Sequence, residues 1–155
     1  MKILVIGSGA REHTIAWKLG LSPRVDELLI APGNAGTASL GTNLPIDAAD
    51  INGLADAARN NGVDLTVVGP EGPLAAGIVD RFRKEGLAVF GPTQAAARID
   101  SSKAFAKDFM HRHHIPCAES MTFDSYTEAH QFILSREGPV VVKADGLAAG
   151  KGVVV

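Results

Sequence analysis

The sequence predicts an α/β fold built on a doubly wound, Rossmann-like parallel sheet, and three observations carry that prediction. Short apolar, β-branched runs alternate with segments of helical period, and each run ends in a loop rich in glycine or proline. The spacing between runs suits right-handed crossovers between parallel strands, which places the ligand site at their carboxyl edge. Ile3 to Ile6 is the first strand, Gly7-Ser-Gly9 its turn, and Ile15, Ala16 and Leu19 mark a helix that stops at Gly20 and Pro23. Trp17 on that helix is read as a core residue. A second strand, Glu27 to Ala31, leads into the loop Pro32-Gly-Asn-Ala-Gly-Thr37. Asp50 is a good N-cap for a helix whose apolar residues Ile51, Leu54, Ala55 and Ala58 recur at i, i+3, i+4 and i+7. The third strand, Leu65 to Val68, turns at Gly69-Pro-Glu-Gly-Pro73 into one helix with the buried stripe Leu74, Ile78 and Phe82. A fourth strand, Leu87 to Phe90, follows Gly86 and runs into Gly91-Pro-Thr93.

After about Asp100 the rhythm changes, so the chain divides into a domain over residues 1–100 and the start of a second over 101–155. The second stretch opens with a helix carrying Ala104, Phe105 and Phe109, the two phenylalanines read as core. Ile115-Pro116 then leads a short strand ending near Phe123. The capping-box pattern Ser125-Tyr-Thr-Glu128 starts a helix that buries Ala129, Phe132 and Ile133.

The last residues carry the strongest chemical signal. In Val140-Val-Val-Lys-Ala-Asp-Gly-Leu-Ala-Ala-Gly-Lys-Gly-Val-Val-Val155, Lys143 leaves an apolar run and a glycine loop with Lys151 leads into another. This is not the common phosphate loop: three residues separate Gly146 from Gly150, and Gly152 stands where a hydroxyl should ligate magnesium. Three closing valines favour a strand, so the segment reads strand, glycine loop, strand, a flap. Its backbone N–H groups and two ammonium groups suit a polyphosphate, against the plainer reading of a flexible surface hairpin. Lys103 joins Lys143 as a second charge for one nucleotide. The apolar strand at the end has nothing after it to cover it, and the chain reads as cut short.

Composition narrows the partners. With 155 residues, 46% of them hydrophobic and 21% charged, the chain belongs with ordinary globular proteins. A net charge of −2 without any basic run argues against nucleic acid. No apolar stretch is long enough to span a bilayer, and Met1 to Gly7 enters a strand at once, so a cytoplasmic location is expected. The single cysteine, Cys117, rules out an internal disulfide and reads as a small, buried or half-buried side chain.

Gly7-Ser-Gly-Ala-Arg-Glu12 has two glycines of the dinucleotide fingerprint, with Glu12 in place of the third and so set against close helix–strand packing. The second strand ends Leu29-Ile-Ala-Pro32, without the acidic residue that holds a ribose hydroxyl, and dinucleotide binding is disfavoured. Arg11 at a helix start suggests a phosphate monoester instead. Glu12 and His13 are either ligand contacts or ordinary solvent-facing residues of a first turn. Asn34, Thr37 and Glu71 are candidates for sugar hydroxyls or an amine, although asparagine also forms turns for its own sake. His111, His113 and His114 invite a metal, but they fall at a helix C-terminus where such side chains complement the dipole, and no metal ligand is assigned.

These residues, taken together, resemble the N-terminal part of the glycinamide ribonucleotide synthetase (phosphoribosylamine–glycine ligase) family of the ATP-grasp superfamily. The resemblance rests on Gly7-Ser-Gly-x-Arg-Glu-His13, Ala31-Pro-Gly-Asn-Ala-Gly-Thr37, Val68-Gly-Pro-Glu71, Phe90-Gly-Pro-Thr93, Ser102-Lys-Ala-Phe105 and Val142-Lys-Ala-Asp-Gly-Leu-Ala-Ala-Gly-Lys-Gly152. Ala10, where the family usually has glycine, and Cys117, where threonine is usual, are mild departures. The resemblance implies a pre-ATP-grasp domain followed by the incomplete start of an ATP-grasp domain. It implies a reaction in which ATP and Mg2+ convert glycine to an acyl phosphate that 5-phosphoribosylamine attacks. Lys103, Lys143 and the loop carrying Gly146, Gly150, Lys151 and Gly152 would meet ATP. Arg11, Glu12, His13, Asn34, Thr37 and Glu71, with Gly9, Gly69 and Pro70 of the same loops, would line the phosphoribosylamine side. The metal ligands and adenine pocket of the family fall outside this sequence, so the chain by itself is expected to be inactive, with no catalytic residue of its own. Two other readings stay open: another ATP-grasp ligase or carboxylase, and a non-catalytic nucleotide-binding module.

Overall fold

The computed structural model describes residues 1–148 and 150–155; Ala149, inside the predicted glycine loop, lies outside the described residues. The chain forms two compact units, Met1–Ala97 and Arg98–Val155.

The first unit is a five-stranded parallel sheet. Its strands are β1 (Lys2–Gly7), β2 (Glu27–Pro32), β3 (Thr42–Asn43), β4 (Leu65–Val68) and β5 (Val89–Phe90), in the order β3-β2-β1-β4-β5. Helix α1 (Ala10–Gly20) follows β1, α2 (Ile51–Asn60) precedes β4, and α3 (Glu71–Ala75) and α4 (Ile78–Lys84) separate β4 from β5. The chain leaves β1 first towards β2 and then crosses back to β4 on its other side. That reversal opens a crevice at the carboxyl ends of β1 and β4, where ligands of such sheets sit.

The central strand shows why the sheet is wound on both faces. Along β1 the side chains alternate, so Ile3 and Val5 join Leu28, Ile30, Val67 and Ala16 of α1 in one buried cluster. Leu4 and Ile6 join Leu29, Ala31 and Val68 with Leu54, Ala55 and Ala58 of α2 and Ile78, Val79 and Phe82 of α4 in the other. A strand buried on both faces must read as a continuous apolar run, as Ile3 to Ile6 does. Helix α2 begins where the sequence places it, with the Asp50 carboxylate accepting the Gly53 N–H at 2.9 Å.

Several expectations need correction. The single helix predicted after β4 is two, because Gly77 takes φ of 90° and interrupts it, and Leu74 is only partly buried. The fourth predicted strand keeps only Val89 and Phe90. Trp17 is not a core residue, being 51% exposed. The two-residue strand β3 and the 3-10 turn Thr37–Ser39 had no counterpart in the prediction.

Helix α5 (Gln94–Ser101) spans the sequence boundary between the two units. The second unit contains α6 (Lys103–Arg112), α7 (Tyr126–Leu134) and a hairpin of β6 (Val142–Lys143) with β7 (Val153–Val154), whose strands pair antiparallel. No strand forms between Ile115 and Phe123. Phe105, Phe109, Ala129, Phe132 and Ile133 are half-buried, not buried as expected. Phe123 and Phe132 lie 5.1 Å apart by ring centroid, and the Arg98 guanidinium sits 4.0 Å over the Phe105 ring. The Ser125 hydroxyl caps α7 through the Glu128 N–H. Cys117 is half-buried. The His113 ring lies 4.3 Å from that of Phe109 by centroid, tilted by 38°. No helix among the described residues is long and apolar enough to cross a membrane.

Candidate functional site

Three loops meet at the carboxyl edge of the first unit. The β-ladder extends beyond the strands, since Gly33 N–H donates to the Gly7 carbonyl and Gly69 N–H to the Ile6 carbonyl, each at 3.1 Å. Side chains then tie the loops together. Asn34 Nδ2 donates to the Ser8 carbonyl at 2.8 Å, while its Oδ1 accepts from Gly36 N–H and Thr37 N–H at 2.8 and 3.0 Å. Arg11 Nη1 donates to the Gly69 carbonyl at 2.7 Å and stands 3.8 Å from Glu71 Oε2. An open cleft of about 280 Å3 results, lined by Gly9, Ala10, Arg11, Glu12, Pro70 and Glu71.

The residues predicted for this side therefore divide by position. Gly9, Arg11, Glu12, Pro70 and Glu71 line the cleft. Arg11 is largely exposed, and one contact to a carbonyl leaves most of its five donors free to face a ligand. Gly69 supplies the carbonyl that orients it. Asn34 binds its own loop and the β1 turn. Thr37 is fully buried: its hydroxyl accepts the Asn34 N–H at 2.8 Å and lies 2.8 Å from Asn43 Oδ1. His13 packs against the same loop, for a β-carbon at Gly36 would stand 2.8 Å from its Nδ1. Thr37 and His13 thus shape the edge from beneath. Asn43, whose Nδ2 donates to the Asn34 carbonyl at 2.8 Å, completes this scaffold and was missed, because a two-residue strand leaves no periodic signal.

Glu12 reverses an expectation. The sequence reading set it against close packing of α1, yet its side chain is only 4% exposed and its Oε2 accepts the Gly9 N–H at 2.8 Å. This is the returning arm of a capping box, satisfying an amide that the helix start would otherwise leave orphaned.

In the second unit the lysine-flanked hairpin forms as predicted. Val142 pairs with Val154 and Lys143 with Val153, and Ala144 N–H donates to the Gly152 carbonyl at 2.8 Å. Gly146 and Gly150 take φ of 83° and 77°, and a β-carbon on either would meet nothing, so glycine serves the turn conformation itself. Lys143 and Lys151 are exposed. Lys103 reaches the loop from α6, its Nζ donating to the Gly146 carbonyl at 2.7 Å.

Asp145 is the feature the sequence did not disclose. Its Oδ1 accepts the Ala104 N–H at 3.2 Å and its Oδ2 the Ser102 hydroxyl at 3.1 Å, while Ser102 Oγ itself accepts the Phe105 N–H at 3.1 Å. Two side chains thus share the start of α6, one from the chain before it and one from the hairpin. The Ala104 N–H, with lesser help from the Gly146 amide, the Ser102 hydroxyl and the Lys103 amide, lowers the Asp145 pKa against an opposing effect of desolvation. A carboxyl lowered in the fold adds stability above its unfolded value and loses it as pH falls through the folded value. The Ala104 amide resonance should accordingly titrate with a midpoint below ~3.9, the ordinary aspartate value, and Asp145→Asn should abolish that titration. A midpoint above the ordinary value would contradict the contact.

A parallel sheet with a loop-built cleft at its switch point, followed by a lysine-bearing glycine hairpin, defines an ATP-grasp-type chain. The model of the phosphoribosylglycinamide synthetase N domain matches residues 1–100, and that of the ATP-grasp (A) domain of the same synthetase matches residues 101–155. The chain belongs to the phosphoribosylglycinamide synthetase family. It is 57% identical to phosphoribosylamine–glycine ligase of Ralstonia nicotianae and 53% identical to that of Escherichia coli K12, in each case over 100% of this chain and 37% of the relative. The chain thus spans 37% of the length of those curated relatives. Among solved structures, phosphoribosylamine–glycine ligase of Thermotoga maritima superposes with a TM-score of 0.76 at 32% identity, covering 99% of this chain and 35% of that one. The biotin carboxylase domain of Hydrogenobacter thermophilus 2-oxoglutarate carboxylase gives 0.74 at 18% identity, over 99% of this chain and 36% of that one, a likeness of fold alone.

Proposed function

We propose that this chain contributes the phosphoribosyl-binding domain, residues 1–100, and the opening of the ATP-binding domain, residues 101–155, to a cytoplasmic phosphoribosylamine–glycine ligase of purine synthesis. In that reaction the γ-phosphoryl group of ATP passes to the glycine carboxylate, releasing ADP. The amine of 5-phosphoribosylamine then attacks the glycyl carbon, phosphate leaves, and the amide of glycinamide ribonucleotide forms. The observation that carries this reading is the cleft where Arg11, Glu12 and Glu71 converge, in a chain identical at more than half its positions to ligases of that name.

The chemistry matches the residues. Phosphoryl transfer needs positioning and neutralised charge more than a protein nucleophile. Arg11 holds the substrate phosphate by charge-assisted hydrogen bonds, and Glu71 and Glu12 accept from its hydroxyls or amine. Asn34, Thr37 and His13 keep the neighbouring loop in shape. In the second domain Lys103, Lys143 and Lys151 neutralise ATP phosphates, with Gly146, Gly150 and Gly152 letting the loop backbone approach them. Magnesium would neutralise the phosphates further. Among the described residues no three histidine, cysteine, aspartate or glutamate side chains gather to hold it.

Calorimetry of the 155-residue chain with glycinamide ribonucleotide tests the reading. One molecule should bind per chain, with AMP at least ~10-fold weaker because it lacks the amine-bearing arm. Equal affinity for the two would set the proposal aside.

A further inference from the structure

Three glycines from three parts of the first unit surround one side chain. Gly7 ends β1, Gly9 precedes α1 and Gly69 follows β4. A β-carbon on Gly7 or Gly69 would fall 2.7 Å from Glu12 Cδ, and one on Gly9 would fall 2.9 Å from Glu12 Oε2. Gly7 also holds φ of 129°, a conformation that side-chain-bearing residues rarely adopt. In dinucleotide-binding turns such glycines let a pyrophosphate approach the backbone, and the amides at the helix start hold it. Here the space is filled from within: Glu12 is buried, and its carboxylate already takes the Gly9 N–H at 2.8 Å.

We infer that Glu12 is a specificity-determining residue, an internal anion that occupies the glycine turn and rejects ligands carrying a diphosphate, dinucleotides above all. The exclusion is both steric and electrostatic. A pyrophosphate would have to displace the carboxylate from its amide and then share the crevice with its charge. Arg11, one residue earlier, points its guanidinium to Gly69 and Glu71, on the exposed side of the cleft. Because Glu12 also lines the cleft, the turn favours a neighbouring group that donates hydrogen bonds, an amine or a hydroxyl. None of this depends on the ligase reaction.

The test is an amide-resolved titration of the chain with inorganic pyrophosphate. In the unsubstituted chain the Gly9 amide should not respond. Glu12→Gly restores the third fingerprint glycine and should raise affinity at the turn at least ~10-fold, with the Gly9 amide moving most. Glu12→Gln keeps the volume and an acceptor for Gly9 but removes the charge, and should gain roughly 2- to 5-fold. A folded Glu12→Gly chain without that gain overturns the inference, as does pyrophosphate shifting Gly9 equally in the unsubstituted chain. If Glu12→Gly does not fold, Glu12→Gln decides alone: no gain over the unsubstituted chain overturns it.

Discussion

Replacing Arg11 by alanine should weaken binding of glycinamide ribonucleotide roughly 10- to 100-fold, because charge-assisted hydrogen bonds contribute about 1.5–3 kcal/mol and each ~1.4 kcal/mol is a decade in affinity. The loss should be one of binding and not of folding. Within the protein Arg11 makes a hydrogen bond to Gly69 and a long contact to Glu71, both on the exposed side of the edge. An exposed pair of this kind contributes little to stability, so the free energy of denaturant unfolding should stay within about 0.5 kcal/mol of the unsubstituted chain. Arg11→Lys should fall between the two, since it retains charge but loses the planar fork that grips two phosphate oxygens. Calorimetry on folded variants checks both parts. Unchanged affinity in Arg11→Ala would move the phosphate away from this residue.

The largest effect on stability is expected at Phe82. It is the bulkiest of the fully buried side chains and lies in the cluster that joins α4 to α2 and the sheet. Phe82→Ala should cost about 3–5 kcal/mol in denaturant unfolding, combining lost transfer free energy with a cavity that close-packed neighbours cannot fill. Domains of this size have only ~5–15 kcal/mol to lose, so the carboxyl-edge loops should lose order with the sheet that holds them. Trp17→Ala is the control: a larger ring, half exposed, should change stability by no more than ~0.5 kcal/mol. Equal effects at the two positions would show that residue type, and not burial, governs this fold.

That contrast shows where the sequence could be read. At 100° per residue Ile15, Ala16 and Leu19 define an arc on α1, and Trp17 lies about 150° from its centre. The period therefore places Trp17 outside, whereas its large aromatic ring argues for burial. The same wheel puts Glu12 inside the arc, four residues before Ala16, so its burial was also available. A buried carboxylate needs a partner, however, and the Gly9 amide becomes visible only in the fold. The strands β1 and β4 and helix α2 were plain, their cores being continuous apolar runs or helical repeats bounded by caps and glycines. Gly77 was opaque for a different reason: the i+4 stripe of Leu74, Ile78 and Phe82 continues across it, and nothing local announces its positive φ. The segment from Ile115 to Phe123 shows that β-propensity records which residues tolerate extension, whereas a strand also requires a partner at pairing distance. At the hairpin, Lys143 and the glycines were legible from composition. Asp145 was not, because its partners lie more than forty residues earlier.

The most direct measurement of the cleft's role is an amide-resolved titration of the chain with glycinamide ribonucleotide. Resonances of Ala10, Arg11 and Glu71 should move together on one binding curve, while core amides such as Leu4 and Phe82 stay still. Shifts that leave those three residues untouched, at ligand concentrations that saturate the calorimetric signal, would contradict a phosphoribosyl site at the carboxyl edge of this sheet.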